Sequence, residues 1–312
     1  MKKISIITPC FNESENLIEC CKQVKHLFNT QLKNFDYEHI IIDNNSDKET
    51  YEIIKKLTSN DKKIKALINN KNYGVVISHQ NGIKFASGDA IITHLSSDLQ
   101  DPPEIIPKFI EKWQLGYEVV VGIKKKRQEF FITQLCRKLF YKIIACVSGK
   151  KIFNGISDYQ LIDKKIINEI KEINSSLFGR TLPLDFTDNY SFIEYDWEKR
   201  NSGKSKQNFF TYVSTAIRGV MFTTSNPFRF LLYSSFVTAI FSIIFFFNLF
   251  INYFVHGTIA NPGITTIISI LLIFVFFNLL TLGFMGEYII YIFDHLAKKR
   301  KVVFREKINF DS

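Results

Sequence analysis

Two carboxylates three positions apart, Asp98 and Asp101, sit in the stretch Leu95-Ser96-Ser97-Asp98-Leu99-Gln100-Asp101-Pro102-Pro103-Glu104. An apolar, strand-like run from Asp89 to Leu95 empties into them. Behind them a Pro-Pro pair and an acidic first turn open a helix. Carboxylates at the carboxyl end of a strand in an α/β sheet lie where such folds bind ligands. Hard divalent cations take oxygen ligands, and Mg²⁺ usually uses one or two carboxylates plus the phosphates of a substrate. The competing reading is a solvated loop that caps a helix, and so short a motif does not separate the two.

Other polar groups recur at matching places. Thr8-Pro9-Cys10-Phe11-Asn12-Glu13 follows a first strand, Asp43 ends a second, and Asn72-Tyr73-Gly74 follows a third. Groups at successive strand ends converge on one crevice. Further along, Gly155-Ile156-Ser157-Asp158-Tyr159-Gln160-Leu161-Ile162-Asp163 offers another acid, Asp158, with a solvated loop as its plain alternative. Arg127, and then Arg200, Ser205 and Lys206, are cations suited to phosphate, Arg as a planar fork and Lys as a point charge. A basic patch facing lipid is the plain alternative for these.

The elements that must position these groups alternate. Residues 4–8, 39–42, 64–68, 90–95 and 118–121 read as strands. Residues 13–28, with Asn12 as the expected cap, and 50–58, 77–86 and 105–114 read as helices. The rhythm predicts an α/β domain over residues 1–208, with a mainly parallel sheet and helices on both faces.

Composition then shifts. Residues 230–255 and 264–284 carry no formal charge. At about 1.5 Å per residue each run is long enough for a hydrocarbon core of roughly 30 Å. The outer flanks are basic: Arg218 and Arg229 before, Lys298 to Lys301 after. The expectation is two transmembrane helices within 230–293, entered through a juxtamembrane amphipathic segment at 209–229. A basic tail follows at 294–312. By the positive-inside rule both ends and the catalytic domain are cytosolic. Residues 130–147 suit an interfacial helix or an ordinary packed one. The net charge of +10 lies beside the apolar runs, so anionic lipid is the expected partner rather than nucleic acid, for which no recognition module is present. The five cysteines show no metal-ligand spacing and read as reduced thiols.

Taken together, these motifs resemble family 2 glycosyltransferases, in the branch that charges polyprenyl phosphates: bactoprenol glucosyltransferases and dolichyl-phosphate mannose synthases. The resemblance covers nearly the whole chain and implies the Rossmann-like GT-A fold. It implies that Pro9, Asn12, Glu13, Asp43, Asn72, Gly74, Ser97, Asp98 and Gln100 hold the nucleotide sugar. Asp98 would be the ligand of Mg²⁺ or Mn²⁺. Asp158 matches the catalytic aspartate, as base or organiser of the acceptor. Arg127, Arg200, Ser205 and Lys206 match residues that hold acceptor and donor phosphates. The expected activity is inverting transfer of a sugar, from a UDP-sugar above all, to undecaprenyl phosphate at the bacterial inner membrane. The alternatives are a lipid-linked saccharide acceptor and a degenerate, non-catalytic membrane scaffold. The terminal segment Lys301-Val302-Val303-Phe304-Arg305 resembles the strand by which such enzymes pair with a neighbouring subunit, implying a homo-oligomer, with a tetramer as one form. Five positions depart from the pattern. Ser96 replaces the first Asp of Asp-x-Asp, Asn44-Asn45 replace Asp-Gly after Asp43, Val75 replaces a basic residue, and Gln160 replaces an Arg.

Overall fold

Strand β1 (Lys2–Cys10) is the spine of the domain, because it has parallel partners on both sides. The computed structural model describes residues 1–125, 155–172, 180–196, 263–296 and 302–310, with 244, 251 and 254–255. The expected sites Arg127, Arg200, Ser205 and Lys206 lie outside these residues, as do the amphipathic segments 130–147 and 209–229 and nearly all of 230–255. The chain divides into two compact units. One comprises Met1–Cys136, Phe153–Gln207 and Arg300–Ser312, and the other Arg137–Ile152 and Asn208–Lys299.

In the first unit, β1 lies between β2 (Phe35–Asp43) and β4 (Ala90–Ile92), and β3 (Ile64–Asn69) pairs with β2, all parallel. Two strands run the other way. β6 (Ile156–Asp163) lies antiparallel between β4 and β5 (Val119–Lys124), and β8 (Phe304–Ile308) pairs antiparallel with β3 of the same chain. β7 (Tyr190–Tyr195) closes the far edge, parallel to β5. The order is β7-β5-β6-β4-β1-β2-β3-β8. The expected parallel α/β sheet is present, with β6 and β7 added to the strands read from sequence; the expected terminal strand is β8, and it pairs with β3 of its own chain.

Side chains on successive strand positions point to opposite faces, and two cores result. Ile4 and Ile6 face one core with Val24, Phe28, Phe109 and Tyr159. Ile7 faces the other with Ile42, Ile83, Ile166 and Ile167. Helix α1 (Ser14–Thr30) buries Leu17, Cys20, Cys21, Val24, Leu27 and Phe28, a stripe at helical spacing. Burial pushes the Cys20 thiol up to about 12, in keeping with inert, reduced cysteines. Helix α2 (Lys48–Asn60) starts at Asp47, whose carboxylate accepts from the Thr50 N–H at 2.9 Å. Helix α3 (Val75–Phe85) lies so close to the sheet that a Cβ on Gly82 would meet Ile7 Cγ2 at 2.6 Å and Ile42 Cδ1 at 2.7 Å. Helices α4 (Ile106–Gln114) and α5 (Lys164–Glu172) complete the layers.

The second unit contains α6 (Gly263–Leu296), 34 residues of continuous helix. Its Ile267, Leu271, Phe274, Leu282 and Ile289 are exposed. Its polar side chains bond inward: Asn278 Nδ2 donates to Phe274 O and Thr281 Oγ1 to Phe277 O, each at 2.9 Å. Among the described residues no helix is long and apolar enough to cross a membrane. Several α6 side chains fall outside that set, and residues 263–286 carry no Asp, Glu, Lys or Arg.

Candidate active site

The carboxyl ends of β1, β2, β3 and β4 lie side by side, and each ends in polar residues. Asn12, expected to cap α1, does something else. Its backbone is left-handed, with φ of 55°. Its N–H donates to Ser46 Oγ and its Oδ1 accepts from the Asp47 N–H, each at 2.9 Å. Asparagine tolerates this conformation because its short amide bonds locally. The residue therefore stitches the β1 loop to the β2 loop, and Glu13 takes the place before the helix without a side-chain cap. Glu13 Oε2 accepts from Asn16 Nδ2 at 2.9 Å.

Asp43 is buried and accepts from the Ser46 N–H at 3.2 and 3.3 Å. Burial raises its pKa, against the pull of the Ser46 bonds and of Arg305 on β8. Beside it Asn44 anchors the next loop. Its Oδ1 accepts from Tyr73 N at 2.9 Å and Asn69 Nδ2 at 3.2 Å, and its Nδ2 donates to Asn72 Oδ1 at 2.7 Å. Asn72 Oδ1 also accepts from Gly74 N at 2.9 Å. Gly74 has a φ of 86°, the left-handed region open to glycine, and leads into α3. Pro9 pairs in register with Ile42, one step from the Cys10–Asp43 pair that ends both strands. A cavity of about 300 Å³ adjoins this end, lined by Ser46, Asp47, Lys48, Tyr51, Glu52 and Arg305.

β4 is shorter than the expected 90–95, but its hydrogen bonding continues. Thr93 N donates to Gln160 O at 2.9 Å and Leu95 N to Ile7 O at 2.8 Å. The chain then turns at Ser96–Leu99, with Leu99 N donating to Ser96 O and Leu99 left-handed at φ 59°. This turn draws in the Asp98 carboxylate, whose Oδ1 accepts from Ser96 Oγ at 2.5 Å and Gln100 N at 3.2 Å. Ser97 and Asp98 are both buried. The neighbouring acid has another role. Asp101 Oδ1 accepts from Tyr195 Oη at 2.6 Å and meets Lys124 Nζ at 2.9 Å, so it binds the loop to β5 and β7.

Asp158 lies on β6. The β4–β6 register pairs Ile92 with Leu161, and carried onward it sets Asp158 level with Leu95, beside the Asp98 turn. Thr93 Oγ1 donates to the Asp158 carbonyl at 2.8 Å. Burial pushes the Asp158 carboxyl up, but Arg180 above all, with His94 after it, outweighs burial and holds its pKa below the usual range. The contact is short: Arg180 Nε donates to Asp158 Oδ2 at 2.9 Å. The His79 and His94 rings meet edge-on at 5.7 Å. Burial, then His94, drives His79 down to about 3, so it is neutral at physiological pH.

The structure sets the expected residues Pro9, Asn12, Glu13, Asp43, Asn72, Gly74, Ser97, Asp98, Gln100 and Asp158 on loops and strands at one end of the sheet; Asp158 is there through β6, which was not read from sequence. Sequence reasoning missed Arg180, His79, His94 and Arg305. The two histidines carried a signal, being polar residues in apolar runs; Arg180 and Arg305 carried none.

The profile of glycosyl transferase family 2 matches residues 5–171. That is more than half of the chain, and the chain belongs to that family. It is similar over nearly its full length to relatives with specific names. An uncharacterized glycosyltransferase of Synechocystis sp. is 28% identical over 95% of this chain and 93% of its own. A prophage-derived bactoprenol glucosyl transferase of Shigella flexneri is 28% identical over 97% of this chain and 98% of its own. Among solved structures, glucosyl-3-phosphoglycerate synthase from Mycobacterium tuberculosis, in complex with Mn²⁺, UDP-glucose and phosphoglyceric acid, superposes with a TM-score of 0.50. It does so at 14% identity, over 70% of this chain and 78% of that one, and shares the fold.

Proposed function

We propose that this glycosyltransferase moves a sugar, with inversion, from a nucleotide donor to undecaprenyl phosphate at the cytosolic face of a bacterial inner membrane. The observation that carries this reading is the placement of Asp98 and Asp158 at the ends of adjacent strands β4 and β6, on the same sheet end as the buried Asp43 of β2. Near-full-length similarity to a bactoprenol glucosyl transferase supports the acceptor, and a UDP-sugar is the donor we favour. The residues also suit a divalent cation. One carboxylate, Asp98, with the Ser96 hydroxyl beside it, matches a Mg²⁺ or Mn²⁺ held chiefly by substrate phosphates. When bound, such an ion would stabilise the negative charge that develops on the diphosphate leaving group.

The chain's own residues do the rest. Pro9, Asn12, Glu13, Asp43, Asn72 and Gly74 form the wall for the nucleoside, and Ser97 and Gln100 flank the metal-binding turn. Asp158 orients the acceptor. A phosphomonoester has a second pKa near 6 and is already largely deprotonated at neutral pH, so it needs alignment more than a strong base. That suits an aspartate held ionised. In the transfer an acceptor phosphate oxygen forms a bond to the anomeric carbon. The bond from that carbon to the donor's diphosphate breaks, and its electron pair leaves with the nucleoside diphosphate. Arg127, Arg200, Ser205 and Lys206 remain our candidates for phosphate contacts.

We further propose that α6 and residues 230–255 form the membrane hairpin. The outward apolar side chains of α6 and its internally bonded Asn278 and Thr281 are what a helix in lipid requires. β8 lies at the sheet edge, and such edges pair readily with another chain, which supports a homo-oligomer.

The test is sugar transfer by detergent-purified protein, offered UDP- and GDP-sugars with undecaprenyl phosphate, with Mn²⁺ or Mg²⁺ against EDTA. Metal-dependent transfer from one donor is the expected result. Folded protein that transfers from none of them would refute the polyprenyl-phosphate reading. Transfer to a lipid-linked saccharide instead would establish the alternative acceptor.

A further inference from the structure

Gln160 stands where the family pattern has an arginine, yet the surroundings of Asp158 do not lack a cation. Asp158 and Gln160 are two apart on β6 and so share a face. Gln160 is fully buried, and its Nε2 donates to Ser157 O and to Arg180 O, each at 2.8 Å. From that anchored main chain the Arg180 side chain turns to Asp158 and donates from Nε at 2.9 Å. The amide fixes the backbone of Arg180, and the backbone aims the guanidinium at the carboxylate.

As a stability element this pair does little, since Arg180 is 49% exposed and exposed ion pairs contribute weakly. As a recognition element it is well made. Arginine recognises phosphate through a planar fork. A phosphomonoester approaching Asp158 alone would meet like charge, and Arg180 removes that repulsion. We infer that Arg180 is a phosphate-positioning residue. It takes the cationic place vacated at Gln160 and, with Asp158, forms a guanidinium–carboxylate unit that receives a phosphomonoester acceptor. This rests on the proposed function, and it turns a departure from the family pattern into a relocation of charge.

The experiment uses the full-length protein in detergent. Binding of farnesyl phosphate by calorimetry reads the unit without turnover, and steady-state transfer to undecaprenyl phosphate reads it with turnover. Arg180→Gln should weaken farnesyl phosphate about ten-fold and raise the acceptor KM by a similar factor, a loss of about 1.4 kcal/mol. The donor KM should be unchanged. Arg180→Lys, which keeps the charge but not the fork, should fall between. Gln160→Arg in the Arg180→Gln background should recover part of the loss, which a merely structural role would not allow. If farnesyl phosphate binds wild type and Arg180→Gln equally, or binds neither, the inference is overturned. A wild type that binds farnesyl phosphate through Arg180 but transfers no sugar would sink the proposed function and leave this inference standing.

Discussion

The two halves of the sheet's carboxyl end are built from different chemistry. Around β2 and β3 the loops are knitted by neutral amides: Asn12, Asn44, Asn69 and Asn72 bond to one another and to backbone N–H groups. Around β4, β5 and β6 the joints are ionic, with Asp101 on Lys124 and Asp158 on Arg180. Amides fix loop shape without adding charge, which suits a wall for a base and ribose. Ions set a field, which suits the place where a phosphate leaves and another attacks. The same contrast appears inside one turn. Asp98 and Asp101 are three residues apart, but Asp101 is tied to β5 and β7, whereas Asp98 accepts from the Ser96 hydroxyl and the Gln100 N–H of its own loop.

The largest effect should separate those two acids. Asp98→Asn should reduce transfer by about 10²–10³, the scale of losing one preorganised electrostatic contact at the reacting centre. It should also abolish the Mn²⁺-dependent part of nucleotide stabilisation while leaving the melting temperature of the free protein nearly unchanged. Lys124→Met should do the reverse, leaving Asp101 buried beside Tyr195 without its cation. Breaking a buried pair costs about 3–5 kcal/mol, to be read as a lower urea midpoint. If Lys124→Met instead abolished metal-dependent binding at full stability, the division of labour between the two acids would be wrong.

The amide side should respond more mildly. Asn44→Leu removes the acceptor of Tyr73 N, one of the two acceptors of the buried Asn69 Nδ2, and one of the two donors to Asn72 Oδ1. Each unsatisfied buried group costs about 1–3 kcal/mol, so melting should fall by several degrees, with weakened nucleotide binding and little change in turnover at saturation. The smallest effect on sugar transfer lies at the opposite end of the strands. Glu38 is buried among Ser5, Ser87, Lys3 and Lys65. Burial disfavours its charge, but Lys65, Ser5, the Ser87 N–H and Lys3 prevail and bring its pKa down from 4.5 to about 2. A carboxyl whose folded pKa is depressed adds stability above its unfolded pKa and loses it as pH falls toward the folded one. Stability should therefore decline between about pH 4.5 and 2 through this group, and Glu38→Gln should flatten that limb of a denaturation-against-pH curve.

Much of this was readable in advance where the signal is local. The apolar runs before Asp43 and Asp98 each end at a carboxyl terminus of a parallel strand, so alternation and composition sufficed to find them. The segment around Asp158 read equally well as a loop. Its identity as β6, reversed between β4 and β5, depends on β4 partners 69 to 73 positions away and β5 partners 33 to 43 positions away, and nothing local encodes them. Asn12 shows the same limit at short range, since its composition suits a helix cap and only the nearness of the β2 loop diverts its amide to Asp47. Arg180 was invisible because its role arises from Gln160, and a sequence shows the missing charge without its replacement.

One strand sets the order in which the molecule can be completed. β8 lies far downstream of the strand it joins, pairing with β3, and just beyond it Asn309 Nδ2 donates to Thr58 O at 2.7 Å and Ile64 O at 2.8 Å. The sheet is thus finished by residues some 240 positions downstream of its neighbour, a closure that is slow because the intervening chain must be brought together first. Until the ribosome releases those residues, the β3 edge stands open. The stretch Asn208–Lys299 is then, in chain order, an insertion into the first unit rather than a tail hung from it, and a gene cut after Gln207 would yield a sheet lacking its final strand.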